Sequence, residues 1–251
     1  MPLLQISNLS KEFLGVKALS QVNITVEQGE LVGLIGPNGS GKTTLFNCIT
    51  GFLPVSAGQV FLDGREITSQ STYQVSLSGI TRTFQQIRVF SKLSVLDNLL
   101  LGAQQHQGEL IASTLVNAPR VRVLEEEILE RALDILEWGG LSHLREEHAM
   151  NLSYGQQKIL SFLSALMPTP QLILLDEPAA AVNPNVVKDM RERILELNRQ
   201  GQSFIVVEHN IEFIMGMCSR LIVLDNGEVI AEGSPEKVVS DPRVVEAYFG
   251  T

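Results

Sequence analysis

Gly36-Pro37-Asn38-Gly39-Ser40-Gly41-Lys42-Thr43 follows the apolar run Leu31–Ile35 and precedes a stretch with helical character, residues 44–50. The order strand, G-x-x-x-x-G-K-[ST], helix is that of a phosphate-binding loop. A buried strand delivers the chain to a sheet edge, glycines let the backbone wrap closely, and successive N–H groups then point inward at anionic oxygens. Lys42 supplies a cation for the β- and γ-phosphates of a nucleotide, and the Thr43 hydroxyl can ligate Mg²⁺. The helix that starts there adds its positive N-terminal end.

The chain has 251 residues, 44% of them apolar, enough for a packed core. No run reaches the roughly 18–20 apolar residues that span a bilayer, and Met1-Pro2-Leu3-Leu4-Gln5 lacks the pattern of a signal peptide, so a cytoplasmic protein is expected. Cys48 and Cys218 have no metal-ligand spacing and suit small buried apolar positions. A formal charge of −9 argues against a nucleic-acid footprint and against direct docking on anionic lipid. Any membrane role would need a protein partner.

Residues 4–9, 22–26 and 59–62 read as short strands of a small antiparallel sheet. Residues 172–175, Ser203–Val207 and residues 221–224 are continuous apolar runs typical of fully buried parallel strands, and residues 185–199 read as the helix joining the first two. Between the two groups the pattern turns helical, at residues 95–101, at residues 121–138 with a Glu-rich first turn, and at Tyr154–Leu166. Residues 104–119 read as a polar loop, and residues 244–250 as a short amphipathic C-terminal helix. The fold class is therefore α/β, a parallel core with an antiparallel β subdomain and an inserted α-helical subdomain. The expected organisation is one domain, with residues 1–87 and 168–251 forming the nucleotide-binding part and residues 88–167 the helical insertion.

Two carboxylates, Asp176 and Glu177, close the apolar strand at residues 172–175, where a parallel sheet presents charge beside bound phosphate. Asp176 can hold Mg²⁺, and Glu177 can orient or deprotonate an attacking water. Asn151-Leu152-Ser153-Tyr154-Gly155-Gln156-Gln157 opens the last inserted helix, so the Ser153 hydroxyl and the first backbone N–H groups form a second potential anion site. His209 follows the buried strand Ser203–Val207, while His106, His143 and His148 have settings typical of surface residues.

Taken in order, GPNGSGKT, Thr83-Phe84-Gln85, LSYGQ, LILLDEP and Glu208-His209 resemble the ATP-binding-cassette ATPases across essentially the whole chain. The resemblance implies a P-loop NTPase (RecA-like) core that binds ATP and Mg²⁺ and hydrolyses ATP. By it, Gly36, Pro37, Asn38, Gly39, Ser40, Gly41, Lys42, Thr43 and Thr44 cradle the phosphates, and Phe13 stacks on adenine. Thr43, Asp176 and Gln85 serve the metal, and Glu177, His209 and Lys42 carry the chemistry. Ser153, Gly155 and Gln156 complete the nucleotide site of an opposing cassette, the same chain or a related one. Gln85 also joins the core to the insertion, beside a second glutamine, Gln86.

Tyr154 replaces a glycine common in the signature, and Asn183 replaces an aspartate common after Glu177. These variants, with Ile80-Thr81-Arg82-Thr83-Phe84-Gln85 and the ending Glu246-Ala247-Tyr248-Phe249-Gly250, resemble the importer subgroup for branched-chain and neutral amino acids, amides and urea. That subgroup implies integral-membrane permeases as direct partners, a solute-binding protein as an indirect one, and a peripheral position on the inner face of the cell membrane. The alternatives are a lipid or lipopolysaccharide export system and, against the acidic charge and the single cassette, a soluble ATPase acting on DNA or ribosomes.

Overall fold

The computed structural model describes residues 1–84, 87–103 and 118–249. The chain divides into two compact units, the first Met1–Arg82, Gln171–Ala181 and Val187–Thr251, the second Thr83–Pro170 and Val182–Val186.

The first unit holds two sheets. Strands β1 (Leu4–Phe13), β2 (Val16–Val26), β4 (Ala57–Leu62) and β5 (Arg65–Glu66) form an antiparallel sheet in the order β2-β1-β4-β5. Strands β3 (Leu31–Ile35), β6 (Ile80–Arg82), β7 (Leu172–Asp176), β8 (Ser203–Val207), β9 (Arg220–Asp225) and β10 (Glu228–Gly233) form the other, in the order β10-β9-β3-β8-β7-β6. Only β10 runs antiparallel to its neighbour; the other pairings are parallel. Every residue of β3, β7 and β8 is buried, which is why these strands read as unbroken apolar runs rather than as an alternation. Leu4, Leu9 and Val60 of one sheet share a core with Leu34, Leu174 and Leu224 of the other. Phe46 and Ile49 of helix α1 (Lys42–Ile49) fill the same core.

Helix α2 (Thr72–Leu77) also belongs to this unit, and α3 (Val95–Gly102), α4 (Ala118–Trp138) and α5 (Tyr154–Leu166) build the second. Leu99, Ala132, Leu136, Leu160 and Leu163 are fully buried in it, which anchors the three helices to one another. Helices α6 (Pro184–Arg199), α7 (Ile211–Met215), α8 (Pro235–Val239) and α9 (Pro242–Phe249) complete the described residues.

Several boundaries differ from the sequence reading. Helix α4 begins at Ala118, so its start takes in residues assigned to the loop, and its first turn carries no acidic residue; Glu125, Glu126 and Glu127 lie further along. Strands β5, β6 and β10 and helices α2, α7 and α8 escaped that reading, because two to six residues are too few to show a period. Strand β10 did have a signal. Asn226 and Gly227, at φ 46° and 80°, make a tight turn between β9 and β10, the role of an Asn-Gly pair in a hairpin.

Arg220 ties the two sheets together. Its guanidinium donates to both Glu30 carboxylate oxygens, at 2.6 and 2.7 Å, to the Thr25 carbonyl in β2 at 2.7 Å, and to Glu232 in β10. Burial pushes the Glu30 carboxyl upward, but the Arg220 hydrogen bonds and charge and the Glu27 N–H outweigh it and leave the group below its ordinary value. A folded-state pKa below the unfolded one contributes stability above the unfolded pKa and loses it as pH falls through the folded value. Urea unfolding should find Glu30→Gln less stable than the parent by about 1–2 kcal/mol at pH 7. That gap should close as pH falls below the ordinary value of 4.5, and a gap that persists in acid would refute the assignment.

Candidate functional site

The candidate site grows from the C-terminal ends of β3, β7 and β8. Beyond β3 the chain turns through Gly36, whose φ of 152° and tight surroundings exclude a side chain, since a Cβ would lie 2.0 Å from the Leu224 carbonyl oxygen. Gly41, at φ 107°, is the N-cap of α1, and its Cβ would meet the Ala18 carbonyl oxygen at 2.7 Å. No side chain caps that helix, so its first N–H groups face the loop, the arrangement that suits an anion. Asn38 and Gly39 are exposed at the loop apex, Pro37 is half-buried and Ser40 is buried. The β9–β10 turn braces the loop from behind, with Gly227 N–H donating to the Ser40 carbonyl at 2.9 Å.

Lys42 is 6% exposed. Its ammonium donates to the Gly36 and Pro37 carbonyls at 2.8 Å each and to Ser40 Oγ at 3.2 Å. Burial pushes its pKa down, opposed by the charges of Glu177 and Asp176, which places both carboxylates within electrostatic reach of the loop. Thr43 is exposed and Thr44 half-buried in the first turn of α1. The helix therefore starts two residues before the stretch that the sequence suggested.

Glu177 leaves β7 with φ 50°, a left-handed conformation uncommon for a residue with a side chain. It is held there by its N–H, which donates to the Val207 carbonyl at 2.8 Å, and by the Ala180 N–H, which donates to its carbonyl at 3.2 Å. Its Oε1 lies 3.0 Å from His209 Nε2. A carboxylate and an imidazole thus meet directly at the ends of neighbouring strands, half-open to solvent, a pairing that can orient a water or hold its proton.

Asp176 is 5% exposed and forms a 2.7 Å ion pair with Arg82, which also donates to Asn47 Oδ1 at 2.6 Å and lies over the Phe46 ring. Arg82 was quoted in the sequence motif without a role; a cation ending the short buried strand β6 is the signal that could have found it. Among the described residues no cluster of three His, Cys, Asp or Glu could enclose a metal. One carboxylate and one hydroxyl, Asp176 and Thr43, suit Mg²⁺, which keeps several waters and takes other oxygens from substrate phosphate. The residues present fit that ion.

Phe13 is 41% exposed at the end of β1, beside Lys11, whose ammonium lies 4.8 Å from the ring centroid. At that exposure it is not a core residue, and Lys11 sits over one face of its ring. Gln85 and Gln86, the metal and coupling candidates, lie outside the described residues, as does His106; His143 and His148 are exposed. Cys48 and Cys218 are buried, which pushes their thiols up to about 11 and about 12. Burial raises the Tyr248 phenol of α9, opposed by the backbone N–H of Gly36.

In the second unit Ser153 caps α5. Its Oγ accepts the Gln156 N–H at 3.3 Å while Gln156 Oε1 accepts the Ser153 N–H at 2.9 Å. This capping box uses a lone pair of the hydroxyl and leaves its proton to donate. A Cβ on Gly155 would lie 3.1 Å from Val186 Cγ2, which explains a small residue there. Tyr154 points outward, 46% exposed. Asn183 Oδ1 accepts the Asn185 N–H at 2.9 Å at the start of α6, a capping bond that an aspartate would make equally well.

Comparison with known proteins agrees with this arrangement. A family model described as "ABC transporter" matches residues 19–180, and one described as "Branched-chain amino acid ATP-binding cassette transporter" matches residues 228–251. The chain is 44% identical to the "Probable branched-chain amino acid transport ATP-binding protein LivG" of Archaeoglobus fulgidus, over 100% of this chain and 96% of that protein. It is 37% identical to the "High-affinity branched-chain amino acid transport ATP-binding protein LivG" of Escherichia coli K12, over 99% and 98%. Among solved structures, a nucleotide-free ATP-binding cassette from an ABC transporter superposes with a TM-score of 0.87 at 38% identity, each chain fully covered. The chain belongs to the ABC transporter family, as one of its ATP-hydrolysing cassettes.

Proposed function

We propose that this chain is the ATPase subunit of an importer for branched-chain or neutral amino acids, and that two such cassettes close around ATP to drive separate membrane permeases. The observation that carries hydrolysis is the 3.0 Å Glu177–His209 pair at the sheet edge that also presents the Lys42 loop. Import is supported over lipid export by the match of residues 228–251 and by the names of the relatives. Pairing is supported by a relative at 26% identity, solved as a dimer bound to ADP and phosphate, with a TM-score of 0.77.

In the proposed reaction Lys42 exchanges a loop carbonyl for a phosphate oxygen and stabilises the charge that develops there. Glu177 orients the attacking water, and His209 fixes the Glu177 carboxylate and contacts the γ-phosphate. Asp176 and Thr43, with Gln85, would hold Mg²⁺, which when bound neutralises charge on the phosphates. Phe13 stacks on the base. The Ser153 hydroxyl and the N-terminus of α5, with Gly155 and Gln156, complete the nucleotide site of the opposing cassette. One cassette assembles from residues 1–87 and 168–251 with the insertion 88–167. No helix among the described residues is long and apolar enough to cross a membrane, so attachment to the inner face of the cell membrane would run through permeases rather than lipid. Solute choice would then reside in the permeases and a solute-binding protein.

Glu177→Gln should bind ATP within about threefold of the parent and lose at least about 100-fold in turnover, read by steady-state phosphate release; near-parental turnover would remove Glu177 from the chemistry. Lys42→Ala should weaken nucleotide binding by at least about tenfold in a fluorescent-nucleotide titration, and unchanged binding would contradict the phosphate role of the loop. Purification from gently solubilised native membranes should recover two permeases and a related cassette by mass spectrometry. Recovery with lipid-export components would overturn import while leaving the ATPase site intact.

A further inference from the structure

Glu208 is charged, follows an entirely apolar strand, and is 3% exposed. A buried carboxylate is costly unless hydrogen bonds surround it. Here three backbone N–H groups do so. One Glu208 oxygen accepts from Ala179 at 2.5 Å, and the other accepts from His209 at 3.1 Å and Asn210 at 3.3 Å. Burial pushes the carboxyl upward, the three N–H groups work against that, and the Glu177 charge adds to it.

These donors come from two different turns. His209 and Asn210 lead out of β8, and Ala179 lies two residues past Glu177 in the turn out of β7. That second turn is strained, with Glu177 at φ 50° and Ala181 at φ 59°, neither a glycine. Such backbone persists only where its surroundings over-determine it. The Glu208 carboxylate is part of that surrounding framework: it fastens the turn after Glu177 to the turn that carries His209, the two residues whose side chains meet at 3.0 Å. The chain then leaves the first unit after Ala181, so the fastened turn is also its route to the second.

We propose that Glu208 is a positioning residue for ATP hydrolysis, whose carboxylate clamps the turns bearing Glu177 and His209 into one frame. Its two oxygens are taken up by backbone N–H groups, so it acts through those two residues. A glutamine of the same size cannot replace it, because one of its two terminal atoms is an NH₂ that would face a donor instead of accepting from it. The proposal rests on the hydrolytic reading of Glu177 and His209.

The test compares the full chain with Glu208→Gln, His209→Ala, the double variant and Glu177→Gln, measuring steady-state hydrolysis across ATP concentrations and nucleotide affinity by fluorescent titration. Glu208→Gln should lower kcat at least about tenfold while KM and nucleotide affinity move less than about threefold, and it should add little in the His209→Ala background. A kcat within about twofold of the parent, an equal loss of affinity, or effects that multiply in the double variant would overturn the clamp while Glu177→Gln stays inactive. An active Glu177→Gln would instead overturn the underlying reading and the clamp with it. Amide hydrogen exchange on the unaltered chain tests the clamp without a variant. The N–H groups of Ala179, His209 and Asn210 should be protected although His209 and Asn210 are exposed, and exchange at the rate of unstructured amides would refute it.

Discussion

The register of three parallel strands governs everything at this site. Leu34 of β3 stands opposite Val207 of β8, and Val207 stands opposite Asp176 of β7, so three residues lie level across the sheet. The phosphate loop begins two residues past Leu34, His209 lies two past Val207, and Glu177 lies one past Asp176. A slip of one residue would move a strand by about 3.3 Å and turn its side chains to the other face. The sheet cannot tolerate that, because both faces of these strands are buried. Hydrophobic packing thereby fixes polar geometry: the burial of Leu172 through Leu175 is what keeps Glu177 3.0 Å from His209.

The parts of this arrangement that rest on periodicity and on contiguous motifs were legible in the sequence. Leu31–Ile35, Ser203–Val207 and Tyr154–Leu166 have the bounds expected of them, since an apolar run or a helical period ends where charge or a cap begins. Phe13 was singled out by its motif, and its exposure rules out the core position that a phenylalanine would ordinarily take. What could not be read were contacts between residues distant in the chain. Arg82 meets Asp176 across 94 positions and Glu208 meets Ala179 across 29, and no local pattern encodes either. The sole sequence hint in each case was a charge attached to an apolar strand. The start of α4 was misread for a different reason: a polar, turn-rich stretch was read as loop as far as Pro119, whereas proline is tolerated in the first turn of a helix.

Two C-terminal elements of the first unit lie beside one loop. Gly227, in the hairpin turn before β10, donates to the Ser40 carbonyl, and the Gly36 N–H opposes the upward push of burial on the Tyr248 phenol of α9. Residues 228–251, which match the branched-chain amino acid cassette family, thus include a phenol whose titration the first residue of the phosphate loop influences.

Charge balance explains why such a site would accept a nucleotide together with a metal. Lys42 and Arg82 are cations that act on the strand-end carboxylates, which are Asp176, Glu177 and Glu208. Arg82 is engaged by Asp176 at 2.7 Å, so its charge is largely spent within the protein. Glu208 is screened by its three N–H donors. Two cations against three carboxylates leave the strand ends one negative charge in excess before a triphosphate enters, in a chain whose formal charge is already −9. A triphosphate adds several negative charges to a confined space of low effective dielectric, where like charges repel strongly. The α1 N-terminus offsets roughly half a charge and Lys42 one, which falls short of the sum. A divalent cation arriving with the phosphates, as proposed, would close the difference. The same arithmetic explains why Asp176 is held by Arg82: an unpaired buried carboxylate beside Lys42 would compete with phosphate for the lysine, and the ion pair removes that competition while keeping an oxygen ligand at the strand end.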